Sequence, residues 1–270
     1  AKTAISSPTL VELWNQYTVY KSSQLEQTTI LRDYRKIEKR IAKFPSQRVE
    51  TAVEIRDHLL NKYSAETAKR TLVQLNACCK WAVRSKLIEL NFFEGMAGEI
   101  KAKKTRQTSR FPFSTDEVKS IVSAFESNTF CSPHSAFKHS YYAPYVRFLF
   151  FTGCRPQEAA ALQWKHVEAD CIHICEAVAP DLKIRKSTKT NKIREFPINS
   201  QLRELLDSIK PQVFKPNTLV FPAIRGKELN TQKFLSQVWK PILMSLLNEG
   251  KLRRYLPQYN ARHTFITNCL

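Results

Sequence analysis

Between Lys101 and Arg110 the chain carries five basic residues, Lys101, Lys103, Lys104, Arg106 and Arg110, with no acid and one alanine as its only apolar residue. A run of like charge with nothing to bury cannot enter a core. The chain must therefore fold on either side of it, as a first domain over 1–98 and a second over 113–270, joined by a linker at 99–112. A length of 270 residues suits two domains of ordinary size. The linker reads either as a solvated tether or as a strap lying along a polyanion.

The first domain reads as helices alone. Leu10, Leu13, Trp14 and Tyr17 recur at helical spacing, as do Ile30, Tyr34, Ile37 and Ile41, then Val53, Ile55, Leu59 and Leu60, then Leu72, Leu75, Cys79, Ala82 and Val83. Breaks at Pro45-Ser46 and Tyr63-Ser64 divide these into about four helices.

The second domain mixes both periods. Ser114 and Glu117 form a capping box that opens a helix through Val118, Ile121, Val122 and Phe125. An apolar run over 145–151 ends in Thr152-Gly153, where glycine permits a sharp turn, and Pro156 suits the first turn of the next helix, which leaves Arg155 at its N-terminus. Residues 171–177 alternate as a strand, and 183–194 read as two strands around a Thr190-Asn191 turn. Helices are expected over 200–209 and 231–248, with a short strand at 219–221 between them. The fold class is mainly α with a small antiparallel β-sheet, a helical domain followed by a mixed α/β one.

Charge narrows the partner. The net charge is +19 and the isoelectric point near 9.7, an excess that attracts a polyanion and makes binding salt-dependent. Six basic residues and no acid lie between Lys183 and Arg194: Lys183, Arg185, Lys186, Lys189, Lys192 and Arg194. Like charges on a bare ribbon repel one another, whereas a narrow β-ribbon can enter a groove of duplex DNA. No membrane-length apolar run and no signal-peptide core are present, so the expected setting is cytoplasmic and nucleoid-associated, without a membrane partner. Seven cysteines form no spaced disulfide framework and are expected reduced. Cys171-x-His173-x-Cys175 places three metal-ligand types on one strand face, but no second ligand pair stands nearby in sequence. It reads as part of a buried strand rather than as a zinc site.

Glu158 falls three residues after Arg155, on the same helical face, and can hold its guanidinium. Arg262 repeats the placement, with Asn260 expected as N-cap of a helix continuing through Thr264, Phe265 and Ile266. Two bidentate arginines on separate elements suit the non-bridging oxygens of one phosphodiester, which gain charge in a five-coordinate transition state. The sequence shows neither a Gly-rich phosphate loop nor clustered carboxylates for magnesium, so no cofactor or metal is expected.

Thr152-Gly-x-Arg155-x-x-Glu158-Ala-x-x-Leu-x-Trp164, a basic hairpin with Lys189 eight residues before Pro197, and x-x-Arg262-His263-Thr264-Phe265 together resemble the tyrosine recombinase family of phage integrases. The resemblance covers both domains, the helical one as a core-binding domain and the rest, from about residue 112, as a catalytic domain. It implies that Arg155 and Arg262 clamp the scissile phosphate. It also implies that Lys189 protonates the leaving 5′ oxygen, its pKa lowered by Lys186 and Lys192. The family nucleophile is a tyrosine that forms a 3′-phosphotyrosyl bond, and four protomers assemble on two DNA duplexes.

The chain departs from that pattern twice. The family's usual histidine three residues before the second arginine is Tyr259 here, a phenol better suited to donate a hydrogen bond to phosphate than to take a proton. His263 reads as a packed, hydrogen-bonded support. All nine tyrosines precede Arg262, so the nucleophile is expected beyond Leu270. As given, the chain is expected to bind duplex DNA without cutting it and to be monomeric away from DNA. Two further readings remain open: a DNA-binding regulator that kept this fold without its chemistry, and a type IB topoisomerase.

Overall fold

The computed structural model describes residues 7–101, 111–135, 137–179, 181–182, 184–187 and 193–269. The chain divides into two compact units, 1–106 and 107–270.

The described residues of the first unit form helices only. These are α1 (Leu10–Ser22), α2 (Gln27–Thr29), a π-helical turn (Ile30–Tyr34), α3 (Arg35–Ile41), a 3₁₀ turn (Val49–Thr51), α4 (Ala52–Lys62), α5 (Ala65–Arg84) and α6 (Met96–Glu99). Thr9 and Glu12 cap α1 reciprocally, Glu12 accepting from Thr9 N at 2.7 Å. Leu10, Leu13, Trp14 and Tyr17 then face the core, where the Trp14 indole donates to the Tyr34 carbonyl at 3.3 Å and the Tyr17 and Tyr34 rings stack. Val53 and Leu60 differ from expectation and stand 50% and 40% exposed, while α4 buries Ala52, Ile55 and Leu59. Leu60, turned by about 100° from Leu59, falls off the narrow face that α4 presents to the core. Ile100 closes this core, and Phe113 enters that of the second unit. The first unit's core thus takes in Ile100 from the 99–112 stretch, and the second unit's core begins just after it.

The second unit contains α7 (Thr115–Glu126), a 3₁₀ turn (His139–Tyr142), α8 (Ala143–Thr152), α9 (Pro156–Ala159) and a 3₁₀ turn (Trp164–His166). Strands β1 (Cys171–Ile174), β2 (Glu176–Ala179), β3 (Ile184–Ser187) and β4 (Arg194–Pro197) follow. It ends with α10 (Ser200–Ile209), α11 (Thr231–Phe234), a π-helical turn (Leu235–Trp239), α12 (Lys240–Asn248) and α13 (Asn260–Asn268). Helix α8 is buried on several sides because α7, α10 and α13 all pack on it, which explains its nearly continuous apolar sequence. The capping box at Ser114 and Glu117 forms as expected. The single helix expected over 231–248 is three pieces. Pro241 lacks an N–H and would crowd the preceding turn, and the chain widens into a π turn immediately before it.

The strands pair differently from the simple hairpin. Strand β1 runs antiparallel to β4, with Cys171 opposite Pro197 and Ile174 opposite Arg194. Strand β2 runs antiparallel to β3, with Glu176 opposite Ser187 and Ala179 opposite Ile184. At the end of β2, Leu182 N donates to Ala179 O at 2.9 Å. One residue, Cys175, separates β1 from β2, whereas 188–193 separate β3 from β4. Among the described residues the two basic strands therefore take their ladder partners from 171–179, and the Thr190-Asn191 turn expected between them lies outside the described residues. At 219–221 the expected strand is reduced to an isolated bridge between Gln163 and Leu219.

Strand β1 also corrects the reading of Cys171-x-His173-x-Cys175. Its buried positions are Ile172 and Ile174, and the two cysteines and His173 are only half-buried on the opposite face. The branched aliphatic residues win the core because they lose most by staying in water. Among the described residues no helix is long and apolar enough to cross a membrane.

Candidate functional site

Helix α8 ends at Gly153, whose φ of +57° lies in the left-handed region and whose N–H bonds the Leu149 carbonyl at 3.0 Å. A Cβ on Gly153 would stand 2.6 Å from Phe265 Cδ1 and 2.8 Å from Phe265 Cβ. Glycine is thus required twice, by the turn and by the close approach of α13. The chain then extends through Arg155 and enters α9 at Pro156. The buried Tyr145 O–H donates to the Pro156 carbonyl at 3.2 Å and holds this corner from the core side.

Glu158 fastens Arg155. Its Oε2 accepts from Arg155 N at 2.8 Å and its Oε1 from Arg155 Nη1 at 2.7 Å. The Glu158 side chain is only 1% exposed, and Arg194 Nη2 donates to the same Oε2 from β4. A carboxylate taken out of water is costly unless paired and hydrogen-bonded, and here two guanidiniums share it. The bond to Glu158 in turn raises the Arg155 pKa above its already high ordinary value. Cys154 lies among these charges, but burial pushes its thiol up to about 12, so it is not a nucleophile at neutral pH.

Arg262 lies in the first turn of α13 and donates from Nη1 to the Gly153 carbonyl at 2.7 Å. The two arginine segments are thereby tied at a residue two positions from Arg155. Asn260 does not cap α13 as expected. It is the first helical residue, 1% exposed, and its Nδ2 donates to the Phe111 carbonyl at 2.9 Å, while Tyr259 occupies the N-cap position without a side-chain capping bond. Thr264 Oγ1 accepts from Phe113 N and donates to the Asn260 carbonyl, both at 2.9 Å. These bonds anchor α13 to the 111–113 segment.

Tyr259 is 41% exposed and its phenol lies beside Arg155, interacting with that guanidinium. Its ring meets His263 edge-on, with centroids 5.5 Å apart. Arg155, Glu158, Tyr259, Arg262 and His263 are therefore brought into one neighbourhood. Lys103, Lys104, Arg106, Arg110, Lys183, Lys189 and Lys192 lie outside the described residues. Lys101 is exposed, and Lys186 is half-buried on β3 opposite Ala177.

The basic ribbon is less bare than its sequence. Arg185 donates to Glu176 at 2.6 Å, to Glu228 at 2.9 Å and to the Ala161 carbonyl at 2.7 Å. Arg194 is bound to Glu158. Repulsion within 183–194 is thus relieved by acids from outside that window, and these two arginines brace the domain. The supports at Tyr145, Arg194 and the Gly153 carbonyl gave no local sequence signal, because each acts on a partner that only folding brings near.

The sequence profile of the phage integrase family matches residues 112–270. No curated protein matches the chain significantly. Among solved structures, the Tn1549 transposon integrase in complex with a circular intermediate DNA is 15% identical with a TM-score of 0.76, over 96% of this chain and 86% of that one. A lambda integrase dimer bound to a COC′ core site is 16% identical with a TM-score of 0.69, over 96% and 89%. A lambda integrase tetramer bound to a Holliday junction is 16% identical with a TM-score of 0.69, over 98% and 74%. These likenesses agree in fold, and the profile spans well over half of the sequence: the chain belongs to the phage integrase family of tyrosine recombinases.

Proposed function

We propose that the chain is the DNA-gripping and phosphate-positioning part of a site-specific recombinase, acting on duplex DNA in the nucleoid as one of four protomers on two duplexes. The observation that supports this most directly is the bond from Arg262 to the Gly153 carbonyl, which ties the second arginine to the turn that presents Arg155. In this reading the two guanidiniums clamp the non-bridging oxygens of one phosphodiester, and their charge stabilises the five-coordinate transition state. Tyr259 donates its phenolic hydrogen to the same phosphate. Glu158 fixes Arg155, and His263 packs against Tyr259 and fixes its ring.

Lys189 gives its proton to the leaving 5′ oxygen as the P–O5′ bond breaks and a tyrosine oxygen becomes bonded to phosphorus. None of the nine tyrosines follows Arg262, so residues 1–270 by themselves hold the phosphate and do not cut. Lys101 and the basic residues of 102–110 lie along the DNA backbone, with Lys183, Lys186 and Lys192 at the groove. The helical unit over 1–98 is the core-binding domain. Tyr259, in place of the usual histidine, favours a second reading, a regulator that binds DNA without recombining it.

Duplex binding measured by anisotropy from low to high salt tests the first claim. Affinity is expected to fall linearly in log–log form, and no binding at low salt would remove DNA as partner. Suicide duplexes carrying a selected site test the second: no covalent adduct is expected from these 270 residues, and an adduct would place the nucleophile among the nine tyrosines.

A further inference from the structure

The turn leading into β1 gathers metal-ligand types on one face. Val167 and Ile172 form an antiparallel bridge, and Glu168 N donates to the Cys171 carbonyl at 2.9 Å. Residues 166–168 and 171–173 therefore run as a tight hairpin. Alternation sends Val167 and Ile172 to the core side and leaves Glu168, Cys171 and His173 together on the other. His173 Nε2 lies 2.9 Å from Glu168 Oε1, and Cys171 Sγ lies 3.6 Å from His173 Nε2 and 3.9 Å from Glu168 Oε2. The three donor groups all fall within 4.8 Å of one another. Tetrahedral zinc, with sulfur at about 2.3 Å and nitrogen or oxygen at about 2.0–2.1 Å, requires ligand-to-ligand edges of roughly 3.3–3.6 Å. The Cys171–His173 spacing of 3.6 Å already matches such an edge, while Glu168, now hydrogen-bonded to His173 at 2.9 Å, would move outward by a few tenths of an ångström to present one oxygen to the ion.

The surroundings fit the same chemistry. Glu195 stands opposite His173 on β4, and its Oε1 is 4.0 Å from His173 Nδ1. An outer carboxylate on the free ring nitrogen is the usual way a metal-bound imidazole is oriented. The turn itself is pinned, since Ile198 N donates to the Asp170 carbonyl at 2.8 Å and the Arg203 guanidinium donates to the Ala169 carbonyl. Burial, then Asp170, Glu168 and Glu195, raise the Cys171 thiol above its ordinary value. A divalent cation reverses that balance by binding the thiolate. An exposed Glu168–His173 pair alone adds little stability and gives Cys171 no part.

We propose that Glu168, Cys171 and His173 form a zinc-binding site with its fourth corner open to solvent. The reading is independent of the recombinase assignment. Thiolate and imidazole donors select zinc over magnesium or calcium. On binding, the Cys171 S–H proton passes to solvent as the Zn–S bond forms, and His173 binds as the neutral imidazole through Nε2. The ion would brace the β1–β4 ladder, where Ile174 faces Arg194.

The test uses the whole 270-residue chain, stripped with a chelator and titrated with Co²⁺, then with Zn²⁺ against a chromophoric competitor. A single equivalent of Co²⁺ should give a thiolate-to-metal charge-transfer band that Zn²⁺ removes and Mg²⁺ does not. C171S should abolish the band and weaken zinc binding at least about 100-fold, and H173Q and E168Q at least about 10-fold. The double variant C131S/C269S should keep both. Should C171S fail to fold, E168Q decides, because Glu168 is exposed. Absence of the band in the unaltered chain, its survival in C171S, or unchanged zinc affinity in folded E168Q would each overturn the site.

Discussion

Arg262 donates from Nη1 to the carbonyl of Gly153 at 2.7 Å, and Phe265, one helical turn further on, lies against the face of Gly153 where a side chain would begin. The joint between the two arginine segments is therefore a backbone contact that only glycine allows. Its positive φ and the approach of α13 are one arrangement rather than two.

Gly153→Ala should be strongly destabilising. A left-handed alanine costs about 1–2 kcal/mol and the clash with Phe265 about 1–3 more. Together these should lower the thermal midpoint by about 10 °C, read by calorimetry. Adding Phe265→Ala should relieve the ring part of the clash but neither the 2.8 Å approach of the retained Cβ nor the φ strain, so the double variant should lose somewhat less than the sum of the singles.

Glu158→Gln should weaken the corner by about 3 kcal/mol in chemical denaturation. That is the low end for breaking a buried pair, because Arg155 and Arg194 keep 29% and 34% of their side-chain surface in solvent. In a double-mutant cycle Glu158 and Arg194 should couple by at least about 1 kcal/mol, although 36 positions separate them in sequence. Zero coupling would show that β4 does not hold α9.

Acid should loosen the second unit through Glu117. Burial alone would raise its pKa, but bonds from the Arg253 side chain and backbone and from Ser114 N hold the carboxyl down at about 2, against 4.5 ordinarily. A depressed folded pKa gives stability that is full above about pH 4.5 and is lost as pH falls toward 2. The shift corresponds to roughly 3 kcal/mol, reduced to about 2 because Arg253 is largely exposed. Glu117→Gln should be less stable at pH 7 and should show a flatter decline between pH 4.5 and 2 in denaturant titrations.

On duplex DNA, Arg155→Ala and Arg262→Ala should each lower the slope of log affinity against log salt by about 0.9, the loss of one phosphate contact. Tyr259→Phe should leave that slope unchanged and weaken binding by less than about 10-fold, since it removes one neutral hydrogen bond. A normal slope in both arginine variants would take them off the phosphate.

What the sequence determined by itself is carried by contacts reaching a few residues: the helices of the first unit, the capping box at Ser114 and Glu117, the start of α9 at Pro156, and the pairing of Glu158 with Arg155. A capping or i,i+3 bond is set by local spacing, so it can be read without the fold. The motif order is legible for the same reason, and it points to the phage integrase family.

Tertiary structure alone decided which distant groups share a carboxylate or a carbonyl. Arg194 looked like one more groove-facing cation until β4 paired with β1 and brought it to Glu158. Asn260 looked like a cap until packing turned it to Phe111. Cys171 and His173 looked like strand interior until Ile172 and Ile174 took the core face and the turn returned Glu168 to them. Burial ranks neighbours by the whole core they can join, and ion pairs form wherever folding desolvates opposite charges together. Neither quantity exists in a window of sequence.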